Sequence, residues 1–407
     1  MSARPPAPRR ILLVGSGGRE HALAWQLAAE PGVEAVIALP GSDAIAAVPG
    51  VVRLAGRDPL DPAAVAAAAR ERGADLVVVG PEAPLAAGVA DAVAAAGIPV
   101  FGPSAAAARI ESSKAFCRSV AAAAGVPMAR GGAFVQLAPA RAYARDLAAD
   151  GARVVVKADG LAAGKGVTVC DTLAEAEAAL EALFAGPAPR GAASTAPRVV
   201  VEERLVGPEA SLIALCDGRE VLGLAAARDH KRLRDGDGGP NTGGMGAYSP
   251  LPDLPDELAA DLLARVHRPV AAVLAAAGTP FRGALYAGLI LTPERGPALL
   301  EFNARFGDPE APRRGDPIAG LDGTGQALGG ATAAGQAGAG TLVFHAGTRR
   351  GPDGAWTTDG GRVLAVVGRG ADVAAARSAA EAAADRVTFP GLQRRRDIAA
   401  SPAGVQP

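Results

Sequence analysis

Lysine and asparagine are almost missing from this chain of 407 residues. Its 41 Lys and Arg residues include only four lysines (Lys114, Lys157, Lys165 and Lys231), and its only asparagines are Asn241 and Asn303. The bias towards Ala, Gly, Pro and Arg is that of a GC-rich genome, where lysine drifts to arginine wherever a guanidinium serves. A lysine that persists marks a need for a compact point charge that a planar fork cannot imitate. Excess charge is missing as well: the formal net charge is −1, with only 20% of residues charged. Binding to nucleic acid or to an anionic membrane through a basic surface is therefore not expected. Cysteine is scarce, and Cys117, Cys170 and Cys216 show no CxxC or metal-type spacing, so they read as buried apolar groups in a reducing compartment. No long apolar run is present either. The ILLV after the basic MSARPPAPRR runs straight into glycines, which excludes a signal-peptide core and a transmembrane span and makes a soluble cytoplasmic protein the expectation.

What is present is length for two or three domains at about 150 residues each. From Ile11 to about Ser104 apolar strands (ILLVG, VEAVIAL, DLVVVG, IPVFG) alternate with Ala-rich helices, the mark of a parallel sheet buried on both faces. Residues 105–311 mix helix and hairpin signals and read as an α+β domain. Strands are expected at Val154–Lys157, Val199–Glu203, Leu212–Asp217, Leu285–Thr292 and Ala298–Phe302, with a loop at 186–198. Residues 312–407 read as a small C-terminal α+β domain. It has strands at Thr341–His345 and Val363–Val367, a helix after Asp372, and a Gly/Ala-rich stretch at 322–340 that is poor in core-forming side chains.

Several motifs carry chemistry. Gly15-Ser16-Gly17-Gly18-Arg19-Glu20-His21 joins a strand to a helix, a place for a phosphate at a helix N-terminus, although a plain tight turn has the same pattern. Glu20 stands where a dinucleotide fingerprint has its third glycine, which disfavours a nicotinamide dinucleotide. Gly80-Pro81-Glu82 follows another strand at the same sheet edge. Lys157 ends a strand that leads into a loop bearing Gly164, Lys165 and Gly166, suited to nucleotide phosphates but without Walker spacing. Glu202, Glu203, Leu205 and Glu209 lie at and beyond a strand end, where they form either a solvated turn or a cradle for a base and a ribose. Glu301 and Asn303 share one face of a strand by period-two alternation, a pair of hard oxygen donors such as Mg²⁺ accepts. Arg305 and Asp308 follow in a turn. The segment from Asp229 to Pro250, with Lys231, Asn241, Thr242, Gly243, Gly244 and Met245, is too polar for a core and too particular for a linker, so it reads as a substrate loop. His230 is equally well a proton carrier or a hydrogen-bonded structural histidine.

Together GSGGREHALAW, VVVGPEAPL, FGPS…ESSKAF, VVKADGLAAGKGV, DHKRLRDGDGGPNTGGMGAYSP, EFNARFGDPE and VFHAGT, in this order, resemble the phosphoribosylamine–glycine ligase (glycinamide ribonucleotide synthetase) family of ATP-grasp enzymes in purine biosynthesis. The resemblance implies a three-part chain that activates glycine with ATP as an acyl phosphate and passes it to the amine of 5-phosphoribosylamine. It implies ATP contacts at Lys114, Lys157, Lys165 and the glycines Gly164 and Gly166. The Glu202–Leu205 segment would hold adenine, Glu209 the ribose, and Glu301 with Asn303 would hold Mg²⁺ or Mn²⁺. Arg305 and Lys231 would neutralise the reacting groups. Gly15, Gly17, Gly18, Arg19, Glu20, Gly80, Pro81 and Glu82 would hold phosphoribosylamine, and Asp229, Asn241–Met245 and Asp308 complete the substrate contacts.

One departure stands out. The family continues from RFGDPE through a helix and a strand before a G-D-x-I-x-G-L segment, whereas here Gly315–Leu321 follows Glu310 almost at once. Loss of that segment would expose apolar surface and lower stability by roughly a few kcal/mol. Competing readings are another ATP-grasp carboxylate–amine ligase, an inactive homologue that still binds ATP, and an NAD-dependent oxidoreductase.

Overall fold

The computed structural model describes residues 7–161, 166–186, 198–307 and 341–400, and the backbone of 314–317. It divides into two compact units: residues up to 105 with 229–253 and those from 305 onward, and residues 106–228 with 254–304.

The first unit opens with β1 (Arg10–Gly15), α1 (Gly18–Ala29), β2 (Ala35–Pro40), β3 (Val51–Arg53), α2 (Pro62–Glu71), β4 (Leu76–Val79), α3 (Val89–Ala95) and β5 (Val100–Phe101). The strands form one sheet in the order β3-β2-β1-β4-β5, with every pairing parallel. Leu12, Leu13, Val14 and Val77 are wholly buried, as a sheet covered on both faces requires. Asp61 fixes the start of α2 by accepting from Ala63 N (2.9 Å) and Ala64 N (3.1 Å), with Pro62 as the first helical residue. The strand order reverses between β1 and β4, and in open α/β sheets the crevice beyond the carboxyl ends at such a reversal is where ligands bind. Gly15 closes β1 and Gly80 follows β4, so both glycine motifs lie at that edge.

The second unit contains α4 (Ala105–Ser112), α5 (Lys114–Ala123), β6 (Gly131–Phe134), α6 (Leu137–Ala149), β7 (Val154–Ala158), β8 (Val167–Cys170), α7 (Leu173–Ala185), β9 (Val199–Glu203), β10 (Glu209–Asp217), β11 (Val221–Gly223), β12 (Arg282–Thr292) and β13 (Gly296–Asn303). Two antiparallel sheets result, β6-β9-β7-β8 and β11-β10-β12-β13. The first packs its Val154, Val156, Val199 and Val201 against Ala140, Ala144, Leu147, Ala176 and Leu180 of α6 and α7. Against the second, wholly buried His267 of the helical segment Leu263–His267 is bound to Leu212 O (3.1 Å) and meets Phe302 edge-on, and burial lowers its pKa to about 4. It is a structural histidine, in keeping with a sequence context that lacks any acid–nucleophile pattern.

The rest of the first unit includes β14 (Thr341–His345), paired antiparallel with β15 (Leu364–Gly368), and α8 (Val373–Ala384), capped by Asp372, which accepts from Ala375 N (2.8 Å). Val343, Val363, Ala383 and Val387 form a small core there. The parallel N-terminal sheet, the α+β middle and the small C-terminal α+β part are as the sequence predicts. The three cysteines are buried and unbridged, and among the described residues no helix is long and apolar enough to cross a membrane. Gly164, Lys165, Asp308, most of the 186–198 loop, the 322–340 stretch and the junction after Glu310 lie outside the described residues.

Candidate active site

Each unit gathers its own cluster of the predicted residues. In the second unit, Lys114, Cys117 and Arg118 lie one turn apart on one face of α5. Ser113 caps the helix, accepting from Phe116 N (3.1 Å) and donating to Asp159 Oδ2 (3.0 Å). Asp159 Oδ1 accepts from Ala115 N (3.1 Å), so a carboxylate sits where the helix dipole favours it. That contact ties the start of the loop after β7 to α5, and Lys114 Nζ donates to Gly160 O (3.1 Å). Burial lowers the Lys114 pKa, Glu301 opposes the shift and Lys157 adds to it, so the three side chains share one electrostatic environment. At the far end of the loop, Gly166 O accepts from Ala158 N (2.7 Å).

Lys157 Nζ lies 2.6 Å from Glu202 Oε2, and Arg118 holds Glu202 Oε1 at 2.6 Å. Both Lys157 (8% exposed) and Glu202 (4%) are buried, so this is a desolvated, fully paired network. Gly131 must lack a side chain, since a Cβ there would come within 2.7 Å of Glu202 Cγ. Lys157 Nζ also donates to Leu300 O (3.3 Å) on the other sheet. Leu300 is the extra residue of a β-bulge: Gly288 faces Glu301 while Leu289 faces Leu299. Beyond the bulge the alternation resumes, with Glu301 and Asn303 half-buried on one face and Phe302 in the core on the other. Glu111 Oε2 accepts from Ala304 N (2.7 Å) and fixes the exit of the strand. Burial raises the Cys117 thiol to about 11, an inert filler beside this network.

Glu203 is pinned differently. It accepts from Arg130 N (2.9 Å), Arg130 Nε (3.1 Å) and Arg295 Nη1 (2.5 Å). Burial works to raise its pKa, but Arg295 and Arg130 overcome that and hold it at about 2. Leu205 follows half-buried, and Glu209 begins β10 opposite Ile290, its carbonyl accepting from Arg228 Nε (2.7 Å).

In the first unit, Glu20 fills the space between Gly15 and Gly80. A Cβ on Gly15 would lie 2.5 Å from Glu20 Cγ, and one on Gly80 2.1 Å from Oε1. Glu20 is 3% exposed, and its Oε2 accepts from Gly17 N (2.7 Å), which closes the turn before Gly18 starts α1. Arg19 Nη1 donates to Gly80 O (3.3 Å). Pro81 precedes a short helix that begins at Glu82, and Arg305 Nε lies 3.6 Å from Glu82 Oε2. Phe306 stacks on Phe101 (centroids 5.9 Å apart), anchoring the arginine's segment to β5. His21 and His345 meet nearby, His345 N donating to His21 Nδ1 (2.9 Å), and burial holds His21 at about 4 and His345 at about 3.

The Asp229–Met245 segment folds on its own backbone. Its strands Arg232–Arg234 and Gly238–Asn241 pair. Thr242 donates to Lys231 O through N (2.6 Å) and Oγ1 (2.9 Å), and Gly244 N donates to Thr242 Oγ1 (3.0 Å). Gly244 (φ +125°) must be glycine, because a Cβ would lie 2.6 Å from Asp229 Oδ1. Gly243 lies between these anchors, and buried Met245 donates through N to His230 O (2.7 Å). His230 stacks over Tyr248, and burial lowers its pKa.

Sequence reasoning missed Arg118, Asp159 and Glu111. Arg118 is one arginine among many, and the two carboxylates act on backbone amides 44 and 193 positions away. Asp159 and Glu111 left a signal, standing inside the Lys157–Gly160 motif and at the head of ESSKAF. Among the described residues no group of three or more His, Cys, Asp or Glu is arranged to hold a metal ion.

Three family models match the chain in order: "Phosphoribosylglycinamide synthetase, N domain" over 9–111, its "ATP-grasp (A) domain" over 112–311 and its "C domain" over 302–401. Phosphoribosylamine–glycine ligase of Mesorhizobium japonicum is 45% identical over 426 residues, covering 95% of this chain and 97% of the relative. That of Streptomyces coelicolor is 46% identical over 445 residues, covering 97% and 100%. Both alignments run longer than the chain's 407 residues, so these relatives carry residues without a counterpart here. The crystal structure of phosphoribosylamine–glycine ligase from Thermotoga maritima superposes with a TM-score of 0.74 at 26% identity, covering 96% of this chain and all of that one. A biotin carboxylase domain from Hydrogenobacter thermophilus shares the fold, with a TM-score of 0.66 at 16% identity over 95% of this chain and 91% of that one.

Proposed function

The chain belongs to the phosphoribosylglycinamide synthetase family, and we propose that it joins glycine to 5-phosphoribosylamine with ATP, giving glycinamide ribonucleotide, ADP and phosphate. It is an ATP-dependent carbon–nitrogen ligase. A carboxylate does not expel oxide. The glycine oxygen therefore attacks the γ-phosphorus and ADP leaves. The amine nitrogen then attacks the acyl carbon, phosphate leaves and the amine gives up a proton. The observation that carries this reading is the convergence of half-buried Lys114, buried Lys157 and half-buried Glu301 in one electrostatic environment of the second unit.

The chain's residues divide the work as follows. Lys114 and Lys157 meet the nucleotide phosphates, a role that the family resemblance extends to Lys165, Gly164 and Gly166. The carboxylates of Glu202 and Glu203 are engaged with Lys157, Arg118, Arg130 and Arg295, so the strand end offers adenine its backbone and Leu205, while Glu209 takes the ribose. Glu301 and Asn303 supply two hard oxygens on one rigid face, a donor set that fits Mg²⁺ or Mn²⁺ completed by phosphate and water oxygens. Such an ion, when bound, neutralises phosphate charge. Gly15–Glu20 and Gly80–Glu82 take the phosphoribosylamine phosphate and ribose at the strand-order reversal. Lys231, with Asp229, Asn241–Met245 and Asp308, takes glycine, and Arg305 neutralises the transferring group. Most of the acceleration comes from positioning and charge neutralisation. A cytoplasmic setting fits the three unbridged cysteines.

The test is purified protein with ATP, Mg²⁺, glycine and phosphoribosylamine generated in place. Glycinamide ribonucleotide should form with ADP in equal amount. Well-folded protein that yields none would refute the reading, and ADP release without phosphoribosylamine dependence would redirect it to another carboxylate–amine ligase.

A further inference from the structure

The run Arg394-Arg395-Arg396-Asp397-Ile398 has the pattern of solvated charge, yet Arg395 is only 3% exposed. Its guanidinium is fully engaged. Nε and Nη2 donate to the two Asp397 oxygens (2.7 and 2.6 Å), and Nη1 donates to Asp237 Oδ1 (2.5 Å) and Arg232 O (3.3 Å). Asp397 Oδ2 also accepts from Gly236 N (2.8 Å), and Asp235 Oδ1 accepts from Arg396 N (2.7 Å). Ile398 fills the space over Gly246, where a Cβ would lie 2.4 Å from its Cδ1. From behind, Arg377 of α8 donates to Ile398 O (3.2 Å) and Arg396 O (2.7 Å).

The contacts of Arg395, Arg396 and Asp397 reach the hairpin 232–241 at Arg232, Asp235, Gly236 and Asp237. That hairpin is a separate two-stranded sheet of three and four residues with an irregular register, and an isolated hairpin of this size is marginal in water. Its tip carries two consecutive left-handed residues, Gly236 (φ +66°) and Asp237 (φ +51°). The second is a strained position for a residue with a side chain, and its carboxylate is one that Arg395 holds. The hairpin is thus held by the buried guanidinium of Arg395, about 160 residues away in the sequence, which Asp397 grips bidentately, the strong form of this interaction, and which reaches Asp237 and the Arg232 carbonyl.

We propose that Arg395 is a positioning residue for glycine binding: paired with Asp397, it clasps the hairpin and sets the geometry of Lys231 and Asn241–Met245. This rests on the reading of that segment as the glycine loop. The experiment compares the full-length wild type with Arg395→Lys, which keeps the charge and loses the fork, and with Asp397→Asn. It measures KM for glycine, KM for ATP, kcat, and amide hydrogen exchange over 232–245. The expected result for both variants is a glycine KM raised at least tenfold, an ATP KM within twofold of wild type, and faster exchange over 232–245 with β1 and β4 unchanged. A merely structural loss would lower kcat with the folded fraction and leave both KM values in place. That pattern, or an intact glycine KM with intact protection, overturns the proposal. Should either variant fail to fold, Asp237→Asn, at a side chain 67% exposed, should raise the glycine KM about threefold, and no change would overturn the proposal. Should wild type make no product, the function reading falls separately, and exchange over 232–245 alone decides whether the clasp exists.

Discussion

The Lys157–Glu202 cluster of the second unit and the Glu20 cluster of the first are held by opposite means. In the second, side chains from distant elements are locked by charge: Arg118, Lys157 and Glu202 join α5, β7 and β9, and Lys157 reaches on to the bulge carbonyl of Leu300. In the first, glycines let the backbone approach closely. Gly15 and Gly80 leave space that Glu20 fills, and Gly244 admits Asp229. The lesson is about tolerance. The Lys157–Glu202 cluster should fail when a charge is lost, whereas the Glu20 cluster should be most sensitive to a single added methyl group.

The largest expected effect is on chemistry. Glu301→Ala should lower turnover by at least about 10³-fold, roughly 4 kcal/mol in barrier, with circular dichroism and melting temperature unchanged; near-wild-type rates would remove its metal role. Next comes Glu202→Ala, which strands Lys157 and Arg118 in a buried place and should destabilise the second unit by about 3–5 kcal/mol, read as loss of exchange protection in β7 and β9. A variant that keeps protection there would break the contrast at its charged end.

Gly80→Ala tests the other end. Its methyl group would overlap the Glu20 carboxylate, and overpacking of this kind costs about 1–3 kcal/mol. KM for phosphoribosylamine should rise while KM for ATP stays within twofold. Adding Glu20→Ala to the same chain should relieve the strain and restore stability without restoring substrate affinity, a non-additive pair. Additive losses would mean that Glu20 and Gly80 do not share the space.

This contrast also explains what was legible in the sequence. The parallel sheet was readable because ILLVG and DLVVVG are continuous apolar runs, and the lysines stood out because they are rare. The reading of Glu301 and Asn303 on one face succeeded because both lie beyond the bulge at Leu300; taken from Ala298 onward, period-two alternation is broken. The carboxylate of Glu203 was read as a strand-end charge, yet it is saturated by Arg130 and Arg295, partners 73 and 92 positions away. Arg395 was invisible for the same reason, since a triple arginine looks solvated until its partners are known. Composition marks a residue by its rarity and periodicity marks a face, but neither records which distant backbone amide a carboxylate meets.

The smallest expected effect separates the units by pH. All four histidines have lowered pKa values through burial. Three (His21, His230 and His345) lie in the first unit, and one (His267) lies in the second. For a depressed histidine the unfolded chain takes up a proton first, at about 6.5. Its contribution is therefore complete above that pH and lost as the pH falls towards the folded value, about 4 for His21 and His267 and about 3 for His345. Between pH 7 and 5.5 each such histidine should remove about 1 kcal/mol. Glu203 does not enter this window, because its contribution is lost only from about 4.5 down to about 2. Hydrogen exchange corrected for intrinsic rates should then show β1 and β4 losing more protection than β7 and β9 over that range. Equal losses would mean that the histidines of the first unit are not held neutral, and that its stability, like that of the second, is set by charge pairs.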